Sequence, residues 1–414
     1  MKPSFQRFFQ GDLVIWIVFF LLCMISLVEV FSAASSLSYK SGNFMAPLFK
    51  QAAFLAVGTA VVWFFHSIPC RYFKIIPVLF WPLCVLLLIV TLFFGTSENG
   101  GARWLSFFGI QFQPSEIAKG VVVTSVALIL AYMQREDGAD EKAMKYVLVV
   151  GGTICALIFP ENLSTAVILF ATVFIMMFIG RVPVLQLGKI IAFFAAVGAF
   201  IVLMVAVLPE NTVKDSRVLH RFSTWESRLS NHTEAEMNDT IYLREHPQEA
   251  HARIAIASSN VIGKMPGNSS QRDRLSQAFS DFIYAIIIEE MGIFGAVLVV
   301  FLYIILLFRA GRIASRCERN FPAFLTMGLA ILLVSQAMLN MLVAVGLFPV
   351  TGQPLPLISR GGTSTIINCV YFGMILSVSR YARKNDEGTG KGQIEMEPEA
   401  AAVEREFQSN EGLA

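Results

Sequence analysis

The sequence is short of charge. Only 15% of its 414 residues are Asp, Glu, Lys or Arg, where soluble domains carry about 25%. That is too little to cover a water-facing surface. Neither sign dominates: 32 Lys and Arg against 30 Asp and Glu leave a net charge of +2, so there is no basic footprint for nucleic acid. Cysteines are few as well, six in all, with no Cys-x-x-C pair. Cys23, Cys84, Cys155 and Cys369 lie in apolar runs, and Cys70 and Cys317 in short charged connections. Such placement supports neither a disulfide framework nor a zinc centre. Apolar sequence fills the space instead. Hydrophobic residues make up 55%, Phe alone contributes 36, and mean hydropathy is +0.63. Runs near the ~20 residues needed to cross a bilayer recur along the chain, which describes a polytopic membrane protein.

Ten candidate spans emerge, at about 13–33, 48–66, 74–95, 115–134, 145–160, 163–180, 187–208, 282–308, 321–347 and 361–380. None alternates with period two, as barrel strands do, so the expected fold is all-α. Lys2 and Arg7 precede the first run as in a signal peptide. That run, Leu13 to Ala33, outlasts the 7–15 apolar residues of a signal core and reads as a retained span. Lys2, Arg7, Arg71, Lys74, Arg135, Lys142, Lys145, Arg181, Lys189, Arg309, Arg312, Arg316, Arg319, Arg380, Arg383 and Lys384 fall on one side. The short connections opposite hold only Lys40, Lys50, Arg103 and Arg360. Positive charge marks the cytoplasmic side, so both termini are expected there. The expected organisation is a cytoplasmic N-terminus at 1–12, a membrane domain at 13–383 and a disordered polar tail at 384–414. The long connection 209–281 falls on the outer face. Four of the five histidines lie in it, without metal-ligand spacing, and its Ile/Ala-rich stretch around Arg253 to Ile262 suggests a short helix.

Several residues are not explained by spanning a membrane. Gln113-Pro114-Ser115-Glu116-Ile117-Ala118-Lys119 opens the fourth span. Pro114 suits the first helical position and Glu116 complements the positive end of the helix dipole. Lys119 does not. It pairs with Glu116 at i,i+3 or meets an anionic substrate, and ionisable groups inside membranes are functional hypotheses by default. Asp281 lies where the outer connection meets the eighth span, either as a helix cap or as a half-desolvated general base. Glu289 and Glu290 further along that span are expected to be structural, with Gly292 beside them permitting close helix packing. Thr351 to Gly362, with two prolines and three glycines, implies irregular backbone, which membrane depth tolerates only when it is buried or lines a cavity. The helix after it would point N–H groups at that cavity. Asn340, in the preceding span, needs a polar partner. Arg217 and Arg221, four apart, suit phosphate recognition if they are more than a solvated charge run.

Taken together, Gly101-Ala102-Arg103-Trp104, Gln113-Pro114-Ser115-Glu116 with Lys119, Asp281-Phe282 followed by Glu289-Glu290 and Gly292, and Pro349, Gly352, Pro354-Leu355-Pro356, Ser359 and Gly361-Gly362 resemble the SEDS family (shape, elongation, division and sporulation; FtsW/RodA/SpoVE). The likeness runs from about residue 12 to 383. It implies a peptidoglycan glycosyltransferase that polymerises lipid II, the undecaprenyl-diphosphate disaccharide-pentapeptide. Such an enzyme works at the outer face of the cytoplasmic membrane with a class B penicillin-binding protein transpeptidase. On this resemblance the catalytic residue is Asp281, and the substrate-binding set is Arg103, Gln113, Glu116, Lys119, Arg217, Arg221 and Ser359. The resemblance implies no definite cofactor; a divalent cation (Mg or Mn) is the candidate to support the departing diphosphate.

Three departures stand out. Pro160-Glu161-Asn162-Leu163-Ser164-Thr165 replaces the family's Pro-Asp-Leu-Gly-Thr. The Gly-rich stretch before the aspartate is thinned to Gly263-Lys264-Met265-Pro266-Gly267-Asn268-Ser269. Arg360 replaces an aromatic before the final Gly-Gly. The Pro-Gly-Asn-Ser and Phe-Ser-Asp variants lean toward the division branch, with divisome proteins as partners. The rival readings are a lipid II flippase and a non-enzymatic scaffold that recruits a penicillin-binding protein.

Overall fold

The computed structural model describes residues 9–41, 46–98, 101–107, 110–207, 247–272, 274–275 and 280–382. Arg217, Arg221 and the tail from 384 lie outside these residues.

The apolar runs become helices: α1 Leu13–Ser41, α2 Ala46–Ser67, α3 Ile75–Phe94, α4 Pro114–Tyr132, α5 Ala143–Ile158, α6 Leu163–Ile179 and α7 Val184–Val207. These are followed by the short α8 Pro247–Ala257, α9 Ile283–Ser315, α10 Asn320–Ala344 and α11 363–382. Each run singled out in the sequence coincides with a helix. Among the described residues six helices are long and apolar enough to cross a membrane, and α5, α6 and part of α7 are shorter apolar helices. Residues 159–162 turn between α5 and α6, and Asn162 caps α6 by accepting the Thr165 N–H at 3.2 Å.

One helix sits at the centre. α4 is buried on nearly every face, as expected of a helix that is apolar all round, and it packs against α3, α5, α6 and α10. Small residues allow the close approach. A Cβ on Gly120 would lie 2.3 Å from the Tyr371 ring of α11, and one on Gly328 of α10 would lie 2.6 Å from Met176 of α6. At the opposite end from the outer connection, Asp12 caps α1 through the Val14 N–H at 2.9 Å. The same carboxylate accepts from Arg309 Nε of α9 at 3.0 Å.

Three features depart from the sequence reading. First, residues placed in a plain connection form an antiparallel sheet of β1 Thr96–Glu98, β2 Gly101–Phe107 and β3 Ile110–Phe112. Its register pairs Thr96 with Trp104 and Leu105 with Phe112. A tiny ribbon, β4 Gln134–Arg135 with β5 Gly138–Ala139, follows α4. The chain is thus mostly helical rather than wholly so. Second, the outer-connection helix α8 ends at Ala257, not near Ile262. Asn260 turns the chain there, its Oδ1 accepting the Gly263 N–H at 2.6 Å. Third, Gly292 breaks α9 instead of packing it.

The break at Gly292 (φ 70°, ψ −168°) is where the outer connection is stitched to the helix. Ile293 N donates to Asn260 O at 3.3 Å, Lys264 N to Glu289 O at 2.9 Å and Met265 N to Glu290 O at 2.8 Å. Gly263 (φ +83°) faces Gly292, and a Cβ on either would fall within about 2.4 Å of the other segment's backbone. Only glycine combines that left-handed conformation with such an approach. Glu289 and Glu290, both fully buried, grip the same segment. Glu289 accepts from Lys264 Nζ at 2.7 Å, from Ser270 N at 3.0 Å and from the Ser269 hydroxyl. Glu290 accepts from Gly267 N at 3.2 Å and from the Ser32 hydroxyl of α1. Their role is structural, as the sequence suggested.

Candidate active site

Asp281 sits two residues before α9. It does not cap the helix, because the N-cap is Phe282 and no side chain caps there. Its position is fixed through the backbone instead. Asn340 Nδ2 of α10 donates to the Asp281 carbonyl at 3.0 Å and to the Gln353 carbonyl at 2.8 Å. The Ser359 hydroxyl donates to the Ser280 carbonyl at 2.7 Å and accepts the Leu355 N–H at 2.8 Å. The carboxylate itself takes no part in these contacts.

These contacts join Asp281 to the irregular segment 351–362, which α1, α9 and α10 hold from three sides. Ser26 donates to the Ile358 carbonyl at 2.9 Å, the Tyr303 hydroxyl to the Pro356 carbonyl, and Gln336 Nε2 to the Pro354 carbonyl at 3.1 Å. Gln353 Nε2 reaches Thr165 of α6 at 2.8 Å. Buried backbone must be paired, and here side chains from distant helices do the pairing, as irregular membrane backbone requires.

Gly352 (φ +68°) lies between the two charged groups of the site. A Cβ there would be 3.4 Å from Arg103 Nη1 and 3.8 Å from Asp281 Oδ2. Arg103 comes from β2, and its Nε donates to the Glu161 carbonyl at 2.8 Å, so the α5–α6 turn aims it. Arg103, Gln113, Ser115 and Glu161 line a small cavity of about 20 Å³, room for about one water. Burial pushes the Asp281 carboxyl above the usual carboxylate range, while the Ser280 hydrogen bond and the Arg103 charge pull it part of the way back. A raised carboxyl is a stronger base once ionised, the direction that suits proton removal.

Glu116 and Lys119 form a different kind of site. Their ion pair is 2.7 Å long and both side chains are shut from solvent. Lys119 also donates to Gln336 Oε1 at 2.7 Å, and Ser364 of α11 donates to Glu116 at 3.1 Å. The Tyr371 hydroxyl donates to the Glu116 carbonyl at 2.6 Å and accepts the Gly120 N–H at 3.0 Å, entering the pair of groups that an uninterrupted helix would join. In this conformation Glu116, Lys119 and Ser359 touch other parts of the protein rather than open space. Lys119 connects to the 351–362 segment through Gln336, which donates to the Pro354 carbonyl, and Ser359 lies within that segment. The first turn of α11 likewise faces Glu116 rather than an open anion site. Sequence reasoning singled out Asn340 but passed over Gln336, Gln353, Ser364 and Tyr371. Their signal was present as polar groups inside apolar runs.

A membrane-embedded helical protein with a carboxylate and a guanidinium facing one another across a glycine, at the end of its helices, is the class these features define. A family model described as "Cell cycle protein" (FTSW_RODA_SPOVE) matches residues 12–384, and the chain belongs to that family. It is a multi-pass membrane protein. The chain is 28% identical over 393 residues to the "Probable peptidoglycan glycosyltransferase FtsW" of Marinomonas mediterranea, covering 92% of this chain and 91% of that protein. It is 26% identical over 345 residues to the "Peptidoglycan glycosyltransferase MrdB" of Escherichia coli K12, covering 83% and 88%. Its fold matches a chain from work described as "Structural coordination of polymerization and crosslinking by a peptidoglycan synthase complex", with TM-score 0.71, 23% identity and 90% and 98% coverage.

Proposed function

We propose that this protein is a peptidoglycan glycosyltransferase that polymerises lipid II at the outer face of the cytoplasmic membrane. In this reading it has ten spans in a membrane domain at 13–383, both termini in the cytoplasm, an outer connection at 209–281 and a cytoplasmic tail at 384–414. It works with a class B penicillin-binding protein transpeptidase and divisome proteins in division. The observation that carries the reading is the half-buried Asp281 carboxylate facing Arg103 across Gly352.

The chemistry is a displacement at a sugar 1-diphosphate. Asp281 takes the proton of the acceptor hydroxyl, whose oxygen bonds to the anomeric carbon of the donor as the bond to the diphosphate breaks. The lipid diphosphate leaves as an anion. Positioned general bases contribute about 10²–10⁴-fold, and fixed positive charge stabilises the leaving group where its charge develops. Arg103 and Gln113 bound the site from the sheet side, and Arg217 and Arg221 are assigned to the diphosphate. Glu116, Lys119 and Ser359 position the 351–362 segment. Among the described residues no three carboxylate, His or Cys side chains converge to hold a metal. A divalent cation, Mg or Mn, would bind the departing diphosphate, a common mode for Mg.

The test is polymerisation of labelled lipid II by the purified protein with its transpeptidase partner, read as glycan ladders. Ladders support the reading. Transport of labelled lipid II across a bilayer without polymer would replace it with the flippase, and normal partner recruitment with neither activity would replace it with the scaffold.

A further inference from the structure

At the opposite end of the helices from Asp281 lies a cavity of about 270 Å³ that the chemistry above does not use. It opens where a short 3₁₀ turn, Cys70–Lys74, leads into α3, where α4 ends at Tyr132 and where α10 begins at Asn320. Three helix ends meeting at one level put the cavity at a membrane–water boundary. Arg71, Lys74 and Arg319 line it, with Glu318 as the one acidic side chain among its lining residues. Lys74 is half-buried, its ammonium 5.4 Å from the Tyr132 ring centre and 5.6 Å from that of Phe321. Neither Lys74 nor Arg319 is ion-paired among the described residues.

The two aromatic faces hold the ammonium in place without neutralising it, so an arriving anion would meet a fixed positive charge with no acidic partner among the described residues. Asn320, Phe321 and Pro322 of the first turn of α10 also line the cavity, and the Arg319 side chain does not cap that helix end. The wall continues into exposed apolar surface at Ile75, Val78 and Leu79 of α3. The volume lies just under the ~300–1,000 Å³ of small-ligand pockets, enough for a headgroup with its acyl chains outside. Basic pockets between helices on the cytoplasmic side suit anionic lipids.

We infer that this cavity is a binding site for the phosphodiester headgroup of an anionic phospholipid, held by Lys74 and Arg319 with its chains along α3. The assignment to the cytoplasmic leaflet rests on the orientation proposed above; the site itself does not. The full-length protein in nanodiscs of phosphatidylcholine, with and without phosphatidylglycerol, tests it by native mass spectrometry and thermal shift. Phosphatidylglycerol should be retained and should raise the wild-type melting temperature. In Lys74→Gln/Arg319→Gln retention should weaken roughly tenfold or more, with lipid II polymerisation unchanged. Equal retention of both lipids, or phosphatidylglycerol retention unaffected by the double change, overturns the inference. Inorganic phosphate stabilising as well as the lipid would also overturn it, in favour of a soluble anion. If the double variant does not fold, Glu318→Gln, on the exposed rim, must tighten retention, and unchanged or weaker retention refutes the site. Lipid binding by a protein that makes no glycan would leave the site standing and sink the enzymatic reading.

Discussion

Glu116 and Asp281 are both carboxylates at or just before the buried first turn of a helix, and both meet a cation, yet their surroundings differ. Glu116 has its charge answered by Lys119 at 2.7 Å and its second oxygen by Ser364, and solvent is excluded from all of it. Asp281 is fixed through its backbone by Asn340, while its carboxylate looks toward Arg103 across a glycine. Saturating every partner turns a charge into a strut. Fixing the backbone, with only a Ser280 hydrogen bond and the Arg103 charge on the side chain, is the arrangement that the proposed role as a general base requires.

The largest effect expected from breaking this contrast is at the strut. Lys119→Met leaves Glu116 buried and uncompensated, which should cost about 3–5 kcal/mol of stability. The double change Glu116→Gln/Lys119→Met should recover much of that loss. Thermal unfolding of the purified variants checks both, and equal losses in single and double variants would dissolve the strut.

A smaller effect is expected at the glycine. Gly352→Val places a side chain at φ +68°, where the left-handed conformation costs about 1–2 kcal/mol. It also wedges Arg103 from Asp281, so polymerisation should fall much further than stability does. Parallel losses of the two would assign Gly352 to folding alone.

The smallest effect is a shift of pH dependence. Burial raises the Asp281 carboxyl and Arg103 opposes that rise, so activity should fade on the acid side above the usual carboxylate range, as the base becomes protonated. Arg103→Gln removes charge that favours the anion, so the acid limb of kcat/KM should move to higher pH. Movement to lower pH would break the coupling between the two residues.

The helices were legible because twenty apolar residues have few other uses, and each run became one. Glu116, Lys119 and Asp281 were legible because charge inside such runs is conspicuous. The sheet at 96–112 was not, since strands of three to seven residues are too short to register as a period. Nor was the stitch at Gly292, which depends on Gly263 approaching from the outer connection. The grip on Asp281 lies furthest from view. Asn340 and Ser359 stand 59 residues from Asp281 and 79 from Ser280, and nothing local in either stretch says which backbone carbonyl it will hold.

The central claim, that the two carboxylates divide chemistry from support, is tested most directly by Asp281→Asn. Lipid II polymerisation and melting temperature would be measured on the same preparation of the complex with its transpeptidase partner. The account predicts that glycan ladders disappear, a loss of about 10²–10⁴-fold or more, with the melting temperature unchanged. Ladders at the wild-type rate from a folded Asp281→Asn protein would contradict it.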